Sequence, residues 1–322
     1  MPRTAPSPRR RLIAGLALSV SAALALTGCS SASAGSSTGT AMRTVDSQFG
    51  EVAIPVDPHK ALGFYTTDVD ILVTLDIPLA DSQPIRGEGY DGFPAFFPAE
   101  VDDVETFANF PDYNYEAVLN AQPDFILNGL GYDAEAVERL PAIAPTYSID
   151  AFADPDWRVT FKTVAEALDR MDEHDAWTER YQARIDEVKA ELAAAELSPV
   201  VAPIGEVDGE INVSCYGVPC LVFRDLGLTI LPIADSHDGT TLSLEQLDQL
   251  SDLDVVFTTG TPEDVAAGSD PFAALAANTV WNQLPFIQNE QVFTHDLEMI
   301  YGSPSGQMAF LDVVEQALVP QH

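Results

Sequence analysis

The sequence predicts an α/β protein of two Rossmann-like lobes joined by one long rigid helix, with a ligand cleft between the lobes. Three observations predict it. Over Asp175–Leu197, Trp177, Tyr181, Ile185, Val188, Leu192 and Ala195 recur at spacings of 4, 4, 3, 4 and 3, one stripe of a 3.6-residue helix. On either side, residues 45–156 and 198–322 alternate strand-like and helix-like runs. The 322 residues are 46% apolar, enough chain and core-forming residues for two domains. At ~1.5 Å per residue the helix is ~34 Å long, about one small domain across. Periodicity alone leaves open an ordinary helix inside one domain.

The N-terminus reads as an export signal over residues 1–28. Arg9, Arg10 and Arg11 precede the apolar run Leu12–Leu26, which is shorter than the ~20 residues of a membrane span. Leu26-Thr27-Gly28-Cys29 resembles the lipobox of bacterial lipoproteins, cut before Cys29 so that its thiol carries lipid. Residues 29–44, rich in Ser and Gly, form a flexible linker from that anchor. Removing the signal leaves 11 basic against 50 acidic residues, a net charge of −39, which excludes nucleic acid as a partner.

The first lobe runs over 45–156. Met42–Ile54 alternates around Gly50 and predicts a hairpin. Strands are expected at Ala61–Phe64, Ile77–Ala80, Pro123–Leu127 and Pro145–Ile149, with helices at Asp68–Asp76, Asn114–Ala121 and Ala134–Leu140. Residues 81–100 are expected as a long loop carrying Arg86, Tyr90 and Phe93, a setting where exposed aromatics point to binding. Residues 157–197 are the helical connector. Asp154-Pro155 offers an N-cap with Pro at N1 for a first helix, and Asp172 an N-cap for the long one, which Ser198-Pro199 ends. The second lobe, 198–322, shows strands at Val200–Ile204, Glu210–Ser214, Thr229–Ile233, Val255–Thr259 and Val292–His295. Its helices are expected at Leu221–Leu226, Ser243–Leu250, Phe272–Ala277 and Pro304–Leu318.

Several stretches together resemble one family. Ile54-Pro55-Val56-Asp57-Pro58-His59-Lys60 looks like the opening of class III solute-binding proteins, the extracytoplasmic receptors of ABC importers for ferric siderophores, haem and cobalamin. Asn114–Val118 with Gln122–Ile126, Ile143–Thr146, Ser243–Leu247 with Leu253–Phe257, and Trp281–Pro285 with Gln291–Phe293 are similar to its later segments, in the same order. The resemblance spans residues 45–318. It implies a single bridging helix, a ferric siderophore, haem or cobalamin as ligand, no catalysis and no cofactor, iron entering only inside its chelate. It also implies a monomeric receptor that docks on a membrane permease through one acid per lobe, which falls on Glu116 and Glu245.

Candidate ligand contacts are Tyr65, Tyr90, Phe93, Tyr113, Tyr216, Met299 and Tyr301, with Arg86, Arg158 and Arg224 as donors to hydroxamate oxygens. His295 is a further candidate, with Asp296 and Glu298 beside it near the cleft by family analogy. Arg158, in the first turn of its helix, reads more readily as a salt-bridge partner than as a ligand donor. No basic residue follows Arg224, which favours a neutral or cationic ferric hydroxamate over a tris-catecholate carrying about three negative charges, because unpaired buried charge is costly. Cys215 and Cys220 are expected to pair in an exported protein. The histidines 59, 174, 237, 295 and 322 form no metal-ligand pattern, so no metal site is expected. Gly302-Ser303-Pro304-Ser305-Gly306 has its serines at the wrong positions for a nucleophile elbow, which leaves a hydrolase as the remote alternative.

Overall fold

The structure is a computed structural model that describes residues 41–235 and 239–319. Cys29, the signal, most of the linker, His237 and His322 lie outside the described residues. In the first half the elements run β1 (Met42–Ser47), β2 (Gly50–Pro55), β3 (Ala61–Gly63), α1 (Thr66–Thr74), β4 (Ser82–Ile85) and β5 (Glu105–Ala108). Then follow α2 (Tyr115–Asn120), β6 (Phe125–Asn128), α3 (Ala134–Arg139) and β7 (Thr146–Ser148). Helices α4 (Trp157–Leu168) and α5 (Met171–Ala194) make the connector. The second half holds β8 (Val200–Val207), β9 (Glu210–Val213), α6 (Val218–Leu226), β10 (Thr229–Ile230) and β11 (Thr240–Leu242). It closes with β12 (Val255–Gly260), α7 (Pro262–Ala267), α8 (Pro285–Gln288), β13 (Val292–Asp296) and α9 (Pro304–Leu318).

β3, β6 and β7 pair in parallel in the order β3-β6-β7, and every residue in them is buried. Helices cover both faces of such a sheet, so its strands read as continuous apolar runs rather than alternating ones. β4 and β5 form a second parallel pair. Buried Gln83 stitches it to β3, donating from Nε2 to the Ala61 and Ala80 carbonyls and accepting the Gly63 N–H. In the second half β8 pairs with β10 and β12 in parallel near its start and with β9 antiparallel near its end. β13 lies outside β12 and β11 outside β9. The β8–β9 turn uses Asp208 and Gly209, both at positive φ as a two-residue hairpin requires.

The connector carries the expected stripe. Trp177, Tyr181, Ile185, Val188 and Leu192 are the buried residues of α5. They pack α5 against α1 from the first half and against α6 and α9 from the second, in one core that draws residues from both. A second tie sits beside it: Asp70 on α1 accepts the Ser305 N–H and hydroxyl at 2.7 Å each, at the start of α9.

Local chemistry corrects several expectations. Residues 77–80 make one bridge, Leu79 to Ala61, instead of a strand; Pro78 has no N–H for a ladder, and the strand follows at β4, inside the expected loop. β5, β11, α7 and α8 have no counterpart among the elements the sequence predicts. Asp156, not Asp154, caps α4, its Oδ1 accepting the Arg158 N–H. α5 begins earlier, so Asp172 lies in its first turn, where an acid suits the helix dipole, and Arg170 holds the cap position. Residues 243–250 form only a 3₁₀ turn over Leu247–Leu250, preceded by a turn in which Gln246 Oε1 accepts from the Ser243 N–H and hydroxyl. The helix expected at 272–277 is a 3₁₀ turn over Ala273–Leu275, and the strand at 229–233 stops at Ile230.

Candidate ligand-binding cleft

The chain segments that leave the carboxyl ends of the strands converge on one region, as in open α/β folds generally. Tyr65 follows β3, Arg86 follows β4, Phe110 follows β5, Tyr132 follows β6, Phe152 follows β7, and Tyr216 follows β9. With Leu130 and Tyr301 they enclose a cavity of about 280 Å³. Two adjoining cavities, about 250 and 360 Å³, share Tyr216 with it and extend along the second half toward Trp157 and toward His295.

Two glycines let the walls come this close. A Cβ on Gly217, whose φ is +69°, would fall 1.9 Å from the Ile300 carbonyl oxygen. A Cβ on Gly302, at φ +90°, would fall 2.4 Å from the Trp157 ring. The Cys215–Cys220 disulfide closes the turn that carries Tyr216 and Gly217, leaving Tyr216 about half exposed over the cavity.

The floor is polar and charged. Arg86 Nη1 donates to the Tyr65 hydroxyl at 3.0 Å, the Tyr301 hydroxyl at 3.2 Å and Glu298 Oε1 at 3.3 Å. Its guanidinium carbon sits 4.8 Å from the Phe110 ring centre and 5.5 Å from that of Tyr301. Tyr65 donates to Glu298 Oε1 at 2.8 Å. Beside Glu298, Asp296 accepts the Tyr90 hydroxyl at 2.5 Å and the Glu298 N–H at 2.8 Å. Burial disfavours charge on Arg86, but the tyrosine oxygens and Glu298 outweigh it and hold the guanidinium protonated. Burial raises the Glu298 carboxyl above its ordinary range, against Tyr65 and Arg86, and raises Asp296 against Tyr90. Burial pushes His295 down to about 4, so at neutral pH it is uncharged; its Nδ1–H donates to the Asp296 carbonyl. Asp68 supports the wall from below, one oxygen accepting the Tyr65 and Gly129 N–H groups. Burial raises this carboxyl to about 7.

Of the residues singled out in the sequence, Tyr65, Arg86, Tyr216 and Tyr301 line the first cavity and His295 an adjoining one. Tyr90 stands behind the floor through Asp296. The others lie elsewhere. Arg158 is consumed by Asp156 and Asp225, and exposed Arg224 pairs with Asp235. Phe93 stacks on Phe97 in a separate surface depression. Tyr113 packs on Phe64, with ring centres 5.0 Å apart, and Met299 belongs to the core. Phe110, Leu130, Tyr132 and Phe152 were not singled out; their place just past strand ends was the available signal. Cys215 and Cys220 are bonded. Glu116 is exposed on α2, and Glu245 is exposed in a turn rather than at a helix start. Among the described residues no His, Cys, Asp or Glu group is arranged to hold a metal ion, and no helix is long and apolar enough to cross a membrane.

The family model for periplasmic binding proteins matches residues 88–298. The chain belongs to this family. It is a solute-binding protein and not an enzyme. This periplasmic binding protein is 23% identical over 318 residues to the Fe(3+)-citrate-binding protein YfmC of Bacillus subtilis, covering 95% of this chain and 97% of that one. Its fold matches that of Staphylococcus aureus SirA complexed with staphyloferrin B, with a TM-score of 0.67 at 16% identity, over 86% of this chain and 98% of that one. It also matches the FhuD fold-family component of a Fep/Fec-like ferrichrome ABC transporter from Bacillus subtilis, with a TM-score of 0.67 at 19% identity, over 86% and 100%. The two-lobed α/β architecture expected from the sequence is the fold of these proteins.

Proposed function

We propose that this binding protein captures a ferric siderophore of the hydroxamate class outside the cytoplasm and delivers it to the permease of an ABC importer. The observation that carries the reading is the cleft floor. One arginine stands among aromatic walls and is already opposed by a buried carboxylate. Aromatic faces suit the aliphatic spacers of a trihydroxamate, and the free edge of Arg86 suits its oxygens. The iron ligands named for the relatives support iron chelates as the class. Carboxylate-rich chelates such as citrate and staphyloferrin B carry more negative charge than a cleft with one neutralised arginine balances.

The same reading anchors the protein to the membrane through lipid on Cys29, docks it through Glu116 and Glu245, and has it act as a monomer. A Cys29→Ala variant should leave the membrane fraction; unchanged retention and mass would remove the anchor. The ligand is tested by titrating intrinsic fluorescence with ferric trihydroxamates, ferric tris-catecholates, haem and cobalamin. Tightest quenching by a trihydroxamate is the expected result. Saturation by haem or cobalamin alone would replace the siderophore with those ligands.

A further inference from the structure

Glu298 is an unusual residue for a binding-site floor. Its side chain is 1% exposed, while Arg86 above it is 12% exposed and faces the cavity. Oε1 takes both Tyr65 and Arg86, and Oε2 is buried with no hydrogen-bond partner. Among the described residues the other charges near the guanidinium are also acids. Glu88 Oε2 lies 3.6 Å from Nη2 at the half-exposed rim, and Asp296 flanks Glu298 under Tyr90. The floor therefore holds one cation against two buried carboxyls and a third at the rim.

From this balance we infer that Glu298 sets the charge of the ligand that the cleft accepts, cancelling Arg86 from beneath so that neutral or cationic ferric complexes bind and polyanionic ones are rejected. The inference deepens the siderophore reading and rests on it. A neutral chelate still uses the outward N–H groups of Arg86, because hydroxamate oxygens carry local negative charge. A trianionic chelate meets a site with no net positive charge and loses its hydration without compensation. Burial makes Glu298 matter more than the exposed ones among the chain's 50 acids, since exposed charges are screened within about 8–10 Å by salt and a buried one much less. Glu298 acts through Arg86 and Tyr65 and is a specificity-positioning residue; the ligand need not touch it.

The test compares wild type, Glu298→Gln and Glu88→Gln for a neutral ferric trihydroxamate and a trianionic ferric tris-catecholate at physiological ionic strength. Glu298→Gln should tighten the tris-catecholate about tenfold, or about 1.4 kcal/mol, and move the trihydroxamate less than about threefold. Glu88→Gln, the same change of formal charge at the solvated rim, should move both less than about threefold. Equal weakening of both ligands by Glu298→Gln would mark a purely structural carboxylate and overturn the inference, as would an unmoved ratio. Should Glu298→Gln fail to fold, Arg86→Gln/Glu298→Gln removes the charges as a pair. Its affinity ratio should stay within about threefold of wild type, and a larger move toward the tris-catecholate overturns the inference. Binding of neither probe by wild type would remove the siderophore reading, and this inference with it. Binding of a probe with an unmoved ratio would sink the inference alone.

Discussion

Replacing Arg86 by alanine should separate ligand recognition from folding, and both effects can be estimated. The guanidinium holds three oxygens through Nη1 at 3.0–3.3 Å, while Nη2 faces only the half-exposed Glu88 at 3.6 Å, a solvated pair that a ligand oxygen can replace. A hydrogen bond to a charged group contributes about 1.5–3 kcal/mol, so losing the ligand contact should weaken trihydroxamate binding about 10- to 100-fold. The fold pays separately. Without Arg86, Glu298 keeps only the Tyr65 hydroxyl and the buried pair is broken, at a cost of about 3 kcal/mol, the low end because the carboxyl can take up a proton. At about 2–4 °C per kcal/mol, Tm should fall by about 6–12 °C. Arg86→Lys keeps the charge but not the planar fork, and should recover more of the Tm than of the affinity. Fluorescence titration and calorimetry on the same samples read the two losses. A folded Arg86→Ala protein that binds a trihydroxamate within about threefold of wild type would refute the assignment of Arg86 to the ligand.

Three further outcomes are expected. Trp177→Ala removes a buried ring stacked 5.3 Å from Tyr181 on the bridging helix, and should cost about 3–5 kcal/mol in urea unfolding while changing ligand affinity less than about twofold; a loss under about 1 kcal/mol would show that the helix is not held there. Asp68 has its folded-state pKa raised from 3.8 to about 7, so its neutral form stabilises the fold fully below about pH 4 and that stability is lost as pH rises toward 7. Asp68→Asn keeps an acceptor for the Tyr65 and Gly129 N–H groups and should therefore gain stability relative to wild type between pH 4.5 and pH 8; parallel stability curves would contradict the burial argument. Charge reversal at Glu116 and Glu245 together should abolish uptake and leave ligand binding intact, and normal uptake would remove both from the docking surface.

The long helix was legible because its signal is redundant: five turns repeat one apolar stripe, and the structure buries those same residues except Ala195. The buried parallel strands were legible as apolar runs. What escaped were elements settled by partners distant in sequence. β4 and β5 are short and partly polar, and β4 is held by Gln83 reaching β3, a contact no local pattern announces. α7 did carry a local signal, Thr261-Pro262 with Asp264 completing a capping box, although the run behind it lacks apolar periodicity and buries nothing. In the cleft, Arg86 and Tyr65 were readable from their places beside loops and strand ends. The fate of Arg158 was not, because Asp225 lies 67 residues away and reaches it only once α6 is packed. The role of Glu298 depends on burial beneath Arg86, 212 residues earlier in the chain, a juxtaposition visible only in three dimensions.

Asp70 gripping the start of α9, beside a helix that crosses between the halves without a break, has a consequence for transport economics in the cell envelope. Two clasps at the junction should leave loaded and empty receptors with nearly the same outline, a difference that solution scattering with and without chelate would read. A permease can discriminate only by its difference in affinity for the two forms, and a junction that holds would keep the contribution of receptor shape to that difference small. Empty copies would then compete with loaded ones for the same docking sites. Import would follow the fraction of receptor that is occupied rather than the number of receptor molecules, and making more of this protein without more chelate would slow uptake instead of raising it.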